Sequence, residues 1–390
     1  MASLYFVFLK KSFLFNLLDS AIMNYLYALF LFVLLFLPQT SNGQTDPLRV
    51  GVVGLTHSHV HWILGRDDFG DIEIVGIVEP NVALAQRYAT QYGFDMALVY
   101  PTMDEMILAT QPEAVTAFGT IYEHLEVVQT CAPKGIHVMV EKPMAVSLEH
   151  AKEMEALAKK HNIYLLTNYE TTWYPSNHKA NELLKKGTVG ELRKVIVRDG
   201  HRGPLNIGVN REFLDWLTDP EQNGGGALMD FGCYGANLMT WLQEGKRPLT
   251  VTAVTQQLQA ENNPNVDDEA TIILTYDTNT AIIQASWNWP IGRKDMELYG
   301  QTGAIYADNR TKLRVRMAEG YDGFKEEHFD LEERMMPLDD PFALLEAVVR
   351  QKITLLPYDL SSLENNMLVM EILEAARLSA QTGKTVKLAQ

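Results

Sequence analysis

Lys142, Asp230 and Tyr234 are the residues of this sequence whose types and settings best suit proton transfer. Lys142 lies in the stretch Ile136–Met144, where a short apolar run ends in an acid, the lysine and Pro143. Such a run is typical of a buried parallel strand, and open α/β sheets bind ligands at the carboxyl ends of these strands. Because proline keeps the preceding residue extended, we expect the Lys142 ammonium to point out of the sheet into a cleft.

Asp230 and Tyr234 follow the glycines 224–226, which let the backbone approach a ligand closely. A helix that begins after these glycines would carry both side chains on one face, since they are four residues apart. Lys142 is expected to lower the pKa of the phenol, which then takes the proton of a substrate hydroxyl while hydride moves to a nicotinamide. Taken singly, each residue also has an ordinary structural explanation. Lys142 could belong to a charge pair at a strand end, Asp230 could be a carboxylate on a helix face, and Tyr234 could be an amphipathic aromatic residue of the core.

The segment after residue 47 has the pattern of a dinucleotide-binding β-α-β unit. A strand from Leu48 runs into a turn at Gly54, and a second strand, Ile72–Val78, ends in Glu79. An acidic residue about 20 positions after the glycine turn typically accepts hydrogen bonds from the adenosine ribose. Its charge would repel a 2′-phosphate, so the sequence favours NAD over NADP. The ordinary alternative for Glu79 is a solvated strand end.

The glycine fingerprint of this unit is incomplete. Thr56 and His59 stand where a full G-x-G-x-x-G would have its second and third glycines. The hydroxyls of Thr56 and Ser58 can donate to a pyrophosphate together with the helix N-terminus. His57 and His59 are expected to contact phosphate, to line the cofactor cleft or to lie on the surface. The cofactor-binding residues predicted here and in the strand and loop ends that follow are Gly54, Thr56, His57, Ser58, His59, Glu79, Thr120, His124, Glu141 and Lys142.

Three alternating histidines, His57, His59 and His61, have the spacing of metal ligands on one face of a strand. They fall at a predicted turn and helix start, where that geometry is lost. We therefore predict no metal site.

The second half of the chain is rich in strands that alternate apolar and polar residues, as in 270–276 and 280–287. This pattern predicts an antiparallel sheet with one covered face. Ser361 and Glu364 form a capping box that opens a C-terminal helix running to about Thr382. We place a dinucleotide-binding domain at 48–170 and a substrate-binding domain with the C-terminal helix at 171–390.

With these motifs the chain resembles the Gfo/Idh/MocA oxidoreductases, the family of glucose–fructose oxidoreductase and inositol dehydrogenase. The resemblance is carried by the Glu-Lys-Pro at 141–143, by 224–234, by the acidic run 267–270 and by the helical stretch 375–380. It implies an α/β Rossmann domain followed by an α+β domain with an open, mostly antiparallel sheet. Substrate would lie between that sheet and nicotinamide, with Lys142 in catalysis and with Asp230 and Tyr234 facing the substrate. Many members have histidine at the position of Tyr234; tyrosine resembles the glucose–fructose oxidoreductase and dihydrodiol dehydrogenase branch.

Four further residues are candidates for substrate binding, because aromatic rings stack on sugars and because arginine and histidine bond hydroxyls: Tyr169, Trp173, His201 and Arg202. His201 and Arg202 lie in a loop after a strand, where binding residues often occur. An ordinary polar loop is the alternative.

The composition of the chain limits its possible binding partners, and residues 1–43 indicate its location in the cell. The formal net charge of −16 argues against nucleic acid and anionic membranes as partners, and two cysteines give neither a disulfide framework nor a metal knuckle. Residues 1–43 resemble a cleaved secretory signal that ends at Gly43, because the apolar run 25–37 is shorter than the about 20 residues of a membrane span. We expect a periplasmic or extracellular protein, with a membrane anchor as the alternative.

The leading function predicted from the sequence is hydride transfer between NAD and a sugar, glycoside or polyol hydroxyl. Free NAD is expected to be scarce outside the cytoplasm, so an exported enzyme is expected to hold its NAD tightly. A glycosidase or lyase that oxidises its substrate transiently on bound NAD is therefore an alternative function. A sugar-binding protein without catalysis is the third alternative. A homo-oligomer formed through the second-domain sheet is also expected.

Overall fold

A computed structural model of the chain describes residues 46–389. The predicted export segment, residues 1–43, lies outside them. Within the described part, none of the helices has the length and apolar character that a membrane crossing needs.

The first sheet is a six-stranded parallel sheet with strand order β3-β2-β1-β4-β5-β6. Its strands are β1 (Leu48–Val53), β2 (Ile72–Val78), β3 (Val99–Tyr100), β4 (Ala114–Ala117), β5 (His137–Glu141) and β6 (Leu165–Asn168). Val50, Val52, Val138 and Val140 are buried, as strands covered on both faces require. The order reverses between β1 and β4, which makes their carboxyl ends the expected ligand crevice.

Helices cover this sheet on both faces. They are α1 (Val60–Leu64), α2 (Val82–Tyr92), α3 (Met103–Thr110), α4 (His124–Cys131) and α5 (Leu148–His161). Asn81 caps α2 through its side chain, and the Ser147 hydroxyl caps α5 by accepting from the His150 N–H.

The second sheet has nine strands in the order β14-β13-β12-β11-β7-β10-β9-β8-β15. They are β7 (Leu192–Gly200), β8 (Thr250–Gln256), β9 (Glu269–Thr275), β10 (Thr280–Ser286), β11 (Arg293–Gly300), β12 (Gly303–Ala307), β13 (Lys312–Glu319), β14 (Gly323–Asp330) and β15 (Val386–Lys387). All neighbours pair antiparallel except β7 and β10. The predicted fold class, a Rossmann sheet followed by a mostly antiparallel sheet, is confirmed.

The remaining helices are α6 (Pro175–Lys185), α7 (Pro204–Ile207), α8 (Arg211–Leu217), α9 (Ala227–Asp230), α10 (Gly232–Leu242), α11 (Pro341–Val349) and α12 (Leu363–Thr382). Two predictions are wrong here. The C-terminal helix is capped by Ser362, which accepts from the Asn365 N–H, rather than by Ser361. Asp230 and Tyr234 lie on two short helices separated at Phe231, rather than on one continuous helix.

One hydrophobic cluster joins the two sheets. It contains Val138 and Val140 of β5, Val197 of β7, Tyr234 of α10 and Leu373 of α12. The carboxyl end of β5 is therefore held against α9 and α10. The segment Pro341–Val349 returns to pack with β1 in a second cluster, a contact that the sequence did not predict. The domain boundary near residue 170 stays a prediction.

Candidate active site

Lys142 and Asp230 form a buried ion pair at the carboxyl end of β5. The Lys142 ammonium donates to Asp230 Oδ1 and, at 3.3 Å, to the Asp230 backbone carbonyl. The indole N–H of Trp287 donates to Asp230 Oδ2 at 3.0 Å. Burial alone would raise the pKa of Asp230, but Lys142 lowers it overall. Burial likewise opposes the charge of Lys142, and Asp230 raises its pKa overall. Both groups are therefore charged and fixed in position.

Tyr234 lies beside this pair, with its ring facing two ammonium groups. The nitrogens of Lys142 and Lys294 are 5.2 and 5.0 Å from the ring centroid. The predicted lowering of the phenol pKa is wrong: burial raises the pKa of Tyr234 well above its usual value. The physical reason is that burial disfavours a phenolate and that the nearby carboxylates of Glu170 and Asp230 disfavour it further.

A second ion pair, between Lys294 and Glu170, also lies beside the Tyr234 ring, and no sequence motif indicates it. Glu170 also accepts a hydrogen bond from the Tyr174 hydroxyl at 2.6 Å. Burial would raise the pKa of Glu170, but Lys294 lowers it overall. These residues come from a short 3-10 helix after β6 and from β11, so only the fold brings them together.

Asp199 is another residue of the site that no sequence motif indicates. It lies on the same face of the second sheet as Lys294. It lies directly opposite Lys294 in the register of β7 and β11, so both side chains point towards Tyr234. Both carboxyl oxygens are buried, and no described residue donates a hydrogen bond to them. Burial raises the pKa of Asp199 well above its usual value. A buried carboxyl group with free hydrogen-bonding capacity therefore faces the site, and its burial favours the neutral acid.

We expect Asp199→Asn to stabilise the protein at pH 8 and not at acidic pH. Since the folded-state pKa of Asp199 is raised, the folded protein binds more protons than the unfolded chain between the two pKa values, and stability falls as pH rises through that window. The amide removes this loss, so the free energy of unfolding of the variant, relative to that of the unaltered protein, should be larger at pH 8 than at pH 4. Urea unfolding of both proteins at pH 4 and pH 8 measures the difference; an equal effect at both pH values would contradict it.

The predicted cofactor-binding residues Gly54 and Glu79 lie at and near the turn after β1. Gly54 has a φ of +80°, and a Cβ there would lie 2.6 Å from the Gly119 backbone nitrogen. Glu79 accepts hydrogen bonds from the N–H groups of Leu55 at 3.1 Å and Asn81 at 2.9 Å. A carboxylate has about four lone-pair sites, so two remain for ribose hydroxyls. The burial of Glu79 raises its pKa.

A cavity of about 230 Å³ opens at this end, between the ends of β1, β2 and β4 and helix α4. Its lining includes Gly54, Pro80, Thr102, Gly119 and His124. Pockets for whole ligands measure about 300–1,000 Å³, so this one suits a single moiety such as an adenine ring. The glycine cradle, the free lone pairs of Glu79 and this cavity fit a dinucleotide.

His59 and Glu141 are joined in a hydrogen-bonded chain. His59 Nδ1 donates to Glu141 Oε2 at 2.8 Å, and the Asn168 amide donates to Glu141 Oε1 at 2.8 Å. Burial would raise the pKa of Glu141, but His59 holds it at about 2. The Trp173 indole donates to Asn168 at 3.1 Å and is buried in the core of the first sheet. The structure therefore places Trp173 in the core, where it orients Asn168, rather than in a sugar site.

His57 comes close to the same chain. Its Nδ1 accepts the backbone N–H of His59 at 3.1 Å, and its buried ring packs on Phe213 and Trp216. Burial lowers the pKa of His57 well below its usual value. His57 and His59 lie near Glu141, with one donor atom of each side chain within 4.8 Å of the others, whereas His61 bonds to the Tyr92 hydroxyl. The absence of a metal site stays a prediction.

Other predicted cofactor residues lie around the same turn. Thr56 has a buried hydroxyl to which no described residue bonds. Thr120 accepts the N–H of Glu123 at the start of α4. His124 donates from Nδ1 to the Met144 carbonyl at 3.1 Å, and burial lowers its pKa to about 4. Ser58 is half-buried at the same turn.

The predicted substrate residues divide into two groups. Tyr169 is fully buried, and its ring meets Tyr234 edge-on at 5.4 Å. His201 meets Phe231 edge-on at 5.0 Å, and burial lowers its pKa to about 4. Arg202 is exposed on the surface. The structure brings Tyr169 and His201 to the site and leaves Arg202 outside it.

Two sequence-family models match the chain. Residues 48–169 match the model described as "Oxidoreductase family, NAD-binding Rossmann fold". Residues 177–306 match the model described as "GFO/IDH/MocA C-terminal domain".

The chain is also similar to curated enzymes. Trans-1,2-dihydrobenzene-1,2-diol dehydrogenase of Bos taurus is 29% identical over 233 residues, which are 59% of this chain and 64% of that enzyme. The Homo sapiens enzyme is 27% identical over 59% of this chain and 65% of its own length. The matched stretch thus spans less than two thirds of these relatives.

Solved structures share the fold. An aldose-aldose oxidoreductase from Caulobacter crescentus, complexed with glycerol, superposes with a TM-score of 0.71 at 22% identity, over 88% of this chain and 100% of that one. An inositol dehydrogenase homologue from Azotobacter vinelandii, complexed with NADH and myo-inositol, gives 0.73 at 17% identity, over 88% of this chain and 98% of that one.

Proposed function

This chain belongs to the GFO/IDH/MocA family of NAD-binding oxidoreductases, as its sequence motifs predict, and we propose that it transfers hydride between NAD and a hydroxyl carbon of a neutral sugar or polyol. The observation that carries the proposal is the buried Lys142–Asp230 pair, with Tyr234 beside it, at the carboxyl end of β5. The open-sheet rule places ligands at this end of the strands.

Bound NAD supplies the hydride acceptor and donor of this reaction. The Lys142 ammonium, held by Asp230, stabilises negative charge on the substrate oxygen in the transition state. Tyr234, protonated because of its raised pKa, donates a proton to that oxygen in the direction of carbonyl reduction. In the direction of oxidation the same oxygen returns its proton to the tyrosinate.

The side chains around Tyr234 support a neutral polyhydroxylated substrate. Asp199 and Glu170 would repel a carboxylate or phosphate of a substrate if ionised, whereas hydroxyl groups can bond to them in either protonation state. The relatives point in the same direction by their names: a dihydrodiol dehydrogenase, and structures complexed with glycerol and myo-inositol.

The test is a two-part assay of the purified full-length protein. Released nucleotide is identified first, and the near-ultraviolet absorbance of NADH is then followed with matched neutral polyols and their carboxylate analogues. We expect NAD binding and turnover of the neutral compounds. A protein that binds NAD but turns over only acidic substrates would overturn the substrate class, and one that binds neither nucleotide would overturn the function.

We expect Glu79→Gln to narrow the preference for NAD over NADP by about tenfold, which corresponds to about 1.4 kcal/mol. The glutamine keeps an acceptor oxygen for the ribose while it removes the charge that repels a 2′-phosphate. Dissociation constants for both nucleotides, measured by quenching of protein fluorescence, give the ratio. An unchanged ratio would contradict the ribose assignment of Glu79.

We also propose that the protein acts outside the cytoplasm after cleavage behind Gly43, as its first residues predict. Free NAD is scarce there, so the enzyme would retain its cofactor between turnovers. Amino-terminal sequencing of the protein recovered from cell fractions tests this; recovery of the uncleaved chain in the cytoplasm would contradict it.

A further inference from the structure

We propose that His57, His59 and Glu141 form a binding site for one divalent transition-metal ion of the zinc class. One donor atom from each side chain lies within 4.8 Å of the others. Two imidazoles and one carboxylate are a ligand set that zinc and its neighbours accept, with a further coordination position left for water or another ligand. The sequence predicts no metal here because the histidines fall at a turn, and their spacing gives no indication of the third donor, which comes from β5.

The spacing of the donors needs only a small adjustment. His59 Nδ1 and Glu141 Oε2 are 2.8 Å apart. Two ligand atoms at about 2.0–2.2 Å from a tetrahedral zinc ion lie roughly 3.4 Å apart, so these two atoms must separate by a few tenths of an ångström when a metal replaces their shared proton. His57 Nδ1 already accepts the His59 N–H, which leaves Nε2 of His57 for the metal. His57 is the residue that would move closer.

The groups behind the donors are positioned as metal sites require. Asn168 donates to the carboxylate oxygen of Glu141 that faces away from His59, and Trp173 in turn fixes Asn168. The His59 ring is stacked on Trp62 at 3.9 Å between centroids. Hydrogen-bonded and packed ligands of this kind hold the ring and carboxylate orientations that a metal uses.

The position of this site offers a role that rests on the proposed function. The turn at 54–59 lacks two of the glycines whose close backbone approach normally holds a pyrophosphate. A cation on His57 and His59 would place positive charge at that turn, where the phosphates of a dinucleotide are expected. The metal site would thus compensate for the incomplete fingerprint.

The experiment titrates chelator-treated full-length protein with Co²⁺ alone and follows visible absorbance and thermal unfolding. We expect one Co²⁺ per chain, intense visible bands and a rise in melting temperature, since an ion that binds only the folded state stabilises it. Glu141→Gln and His59→Gln should abolish these signals. Asn168→Ala should weaken Co²⁺ binding by about 10- to 100-fold, as loss of a supporting hydrogen bond does.

His61→Ala is the matched control, because His61 belongs to the same histidine run but lies outside the cluster. It should bind Co²⁺ as the unaltered protein does. Equal binding by folded Glu141→Gln protein, or no binding by the unaltered protein, would overturn the site. Melting curves recorded without metal show whether each variant is folded.

Nucleotide binding separates this proposal from the proposed function. We expect the Co²⁺-loaded protein to bind NAD at least about tenfold more tightly than the metal-free protein, a difference of about 1.4 kcal/mol. NAD binding without any Co²⁺ binding would overturn the metal site and leave the oxidoreductase function standing. Co²⁺ binding without NAD binding in either form would do the reverse.

Discussion

Lys142→Met is expected to lower the turnover number for polyol oxidation by about 10²- to 10⁴-fold, the range that positioned proton-transfer and charge-stabilising groups contribute. The methionine keeps much of the aliphatic stem and removes the only ammonium that is paired with Asp230 among the described residues. Steady-state rates with a good polyol and saturating NAD measure the effect. Near-full turnover would contradict the assignment of Lys142.

The same substitution leaves Asp230 buried without its partner, which typically costs about 3–5 kcal/mol. A loss of rate would then be confused with a loss of fold. The double variant Lys142→Met/Asp230→Asn removes both charges and keeps an acceptor for the Trp287 indole. We expect it to recover most of the stability, measured by urea unfolding, but none of the rate. Recovery of both would mean that the pair is structural.

The first sheet could be predicted from the sequence because its strands are short apolar runs with glycine or acidic ends. The strands β1, β2 and β5 carry this pattern most clearly, and the structure has β1 and β2 within a residue of their predicted bounds. The segment Pro341–Val349 could not be placed in the same way. All its residues except Glu346 are apolar, so its sequence gives no indication that it packs beside β1 and β2.

The catalytic set was predicted in part. Lys142, Asp230 and Tyr234 stand in recognisable motifs, and the structure brings them together. Glu170, Lys294 and Asp199 carry no motif, and their meeting depends on the register of β7 with β11 and on the turn after β6. The spacing of residues along the sequence does not indicate such contacts, because they form only when the two sheets pack together.

The phenol pKa illustrates a different kind of failure. A neighbouring cation lowers a phenol pKa and burial raises it, and the outcome depends on which is larger. The neighbouring cation, Lys142, is evident from the sequence motifs, but the full burial of Tyr234 and the carboxylates close to it are not. Both of these are tertiary facts, and together they reverse the predicted direction.

Tyr234→Phe is expected to lower the turnover number by about 10²- to 10⁴-fold while NAD binding changes little. The substitution removes one hydroxyl and keeps the ring that packs on Tyr169 and Phe231, so the fold and the cofactor crevice should remain intact. The dissociation constant for NAD is measured beside the rate. Equal losses of binding and rate would show that the tyrosine is structural.

The raised pKa of Tyr234 also fixes the sign of the pH dependence. Because the phenol stays protonated through neutral pH, carbonyl reduction by the unaltered enzyme should be independent of pH there, since the proton donor is always present. Oxidation needs the tyrosinate, so its rate should rise with pH by about tenfold per unit up to the alkaline limit of the assay. Tyr234→Phe should lose this rise, because no phenol remains to ionise. An oxidation rate that stays level from mildly acidic to alkaline pH would assign the proton transfer to another group, of which His201, beside Asp230 and with its pKa lowered to about 4 by burial, is the first to test.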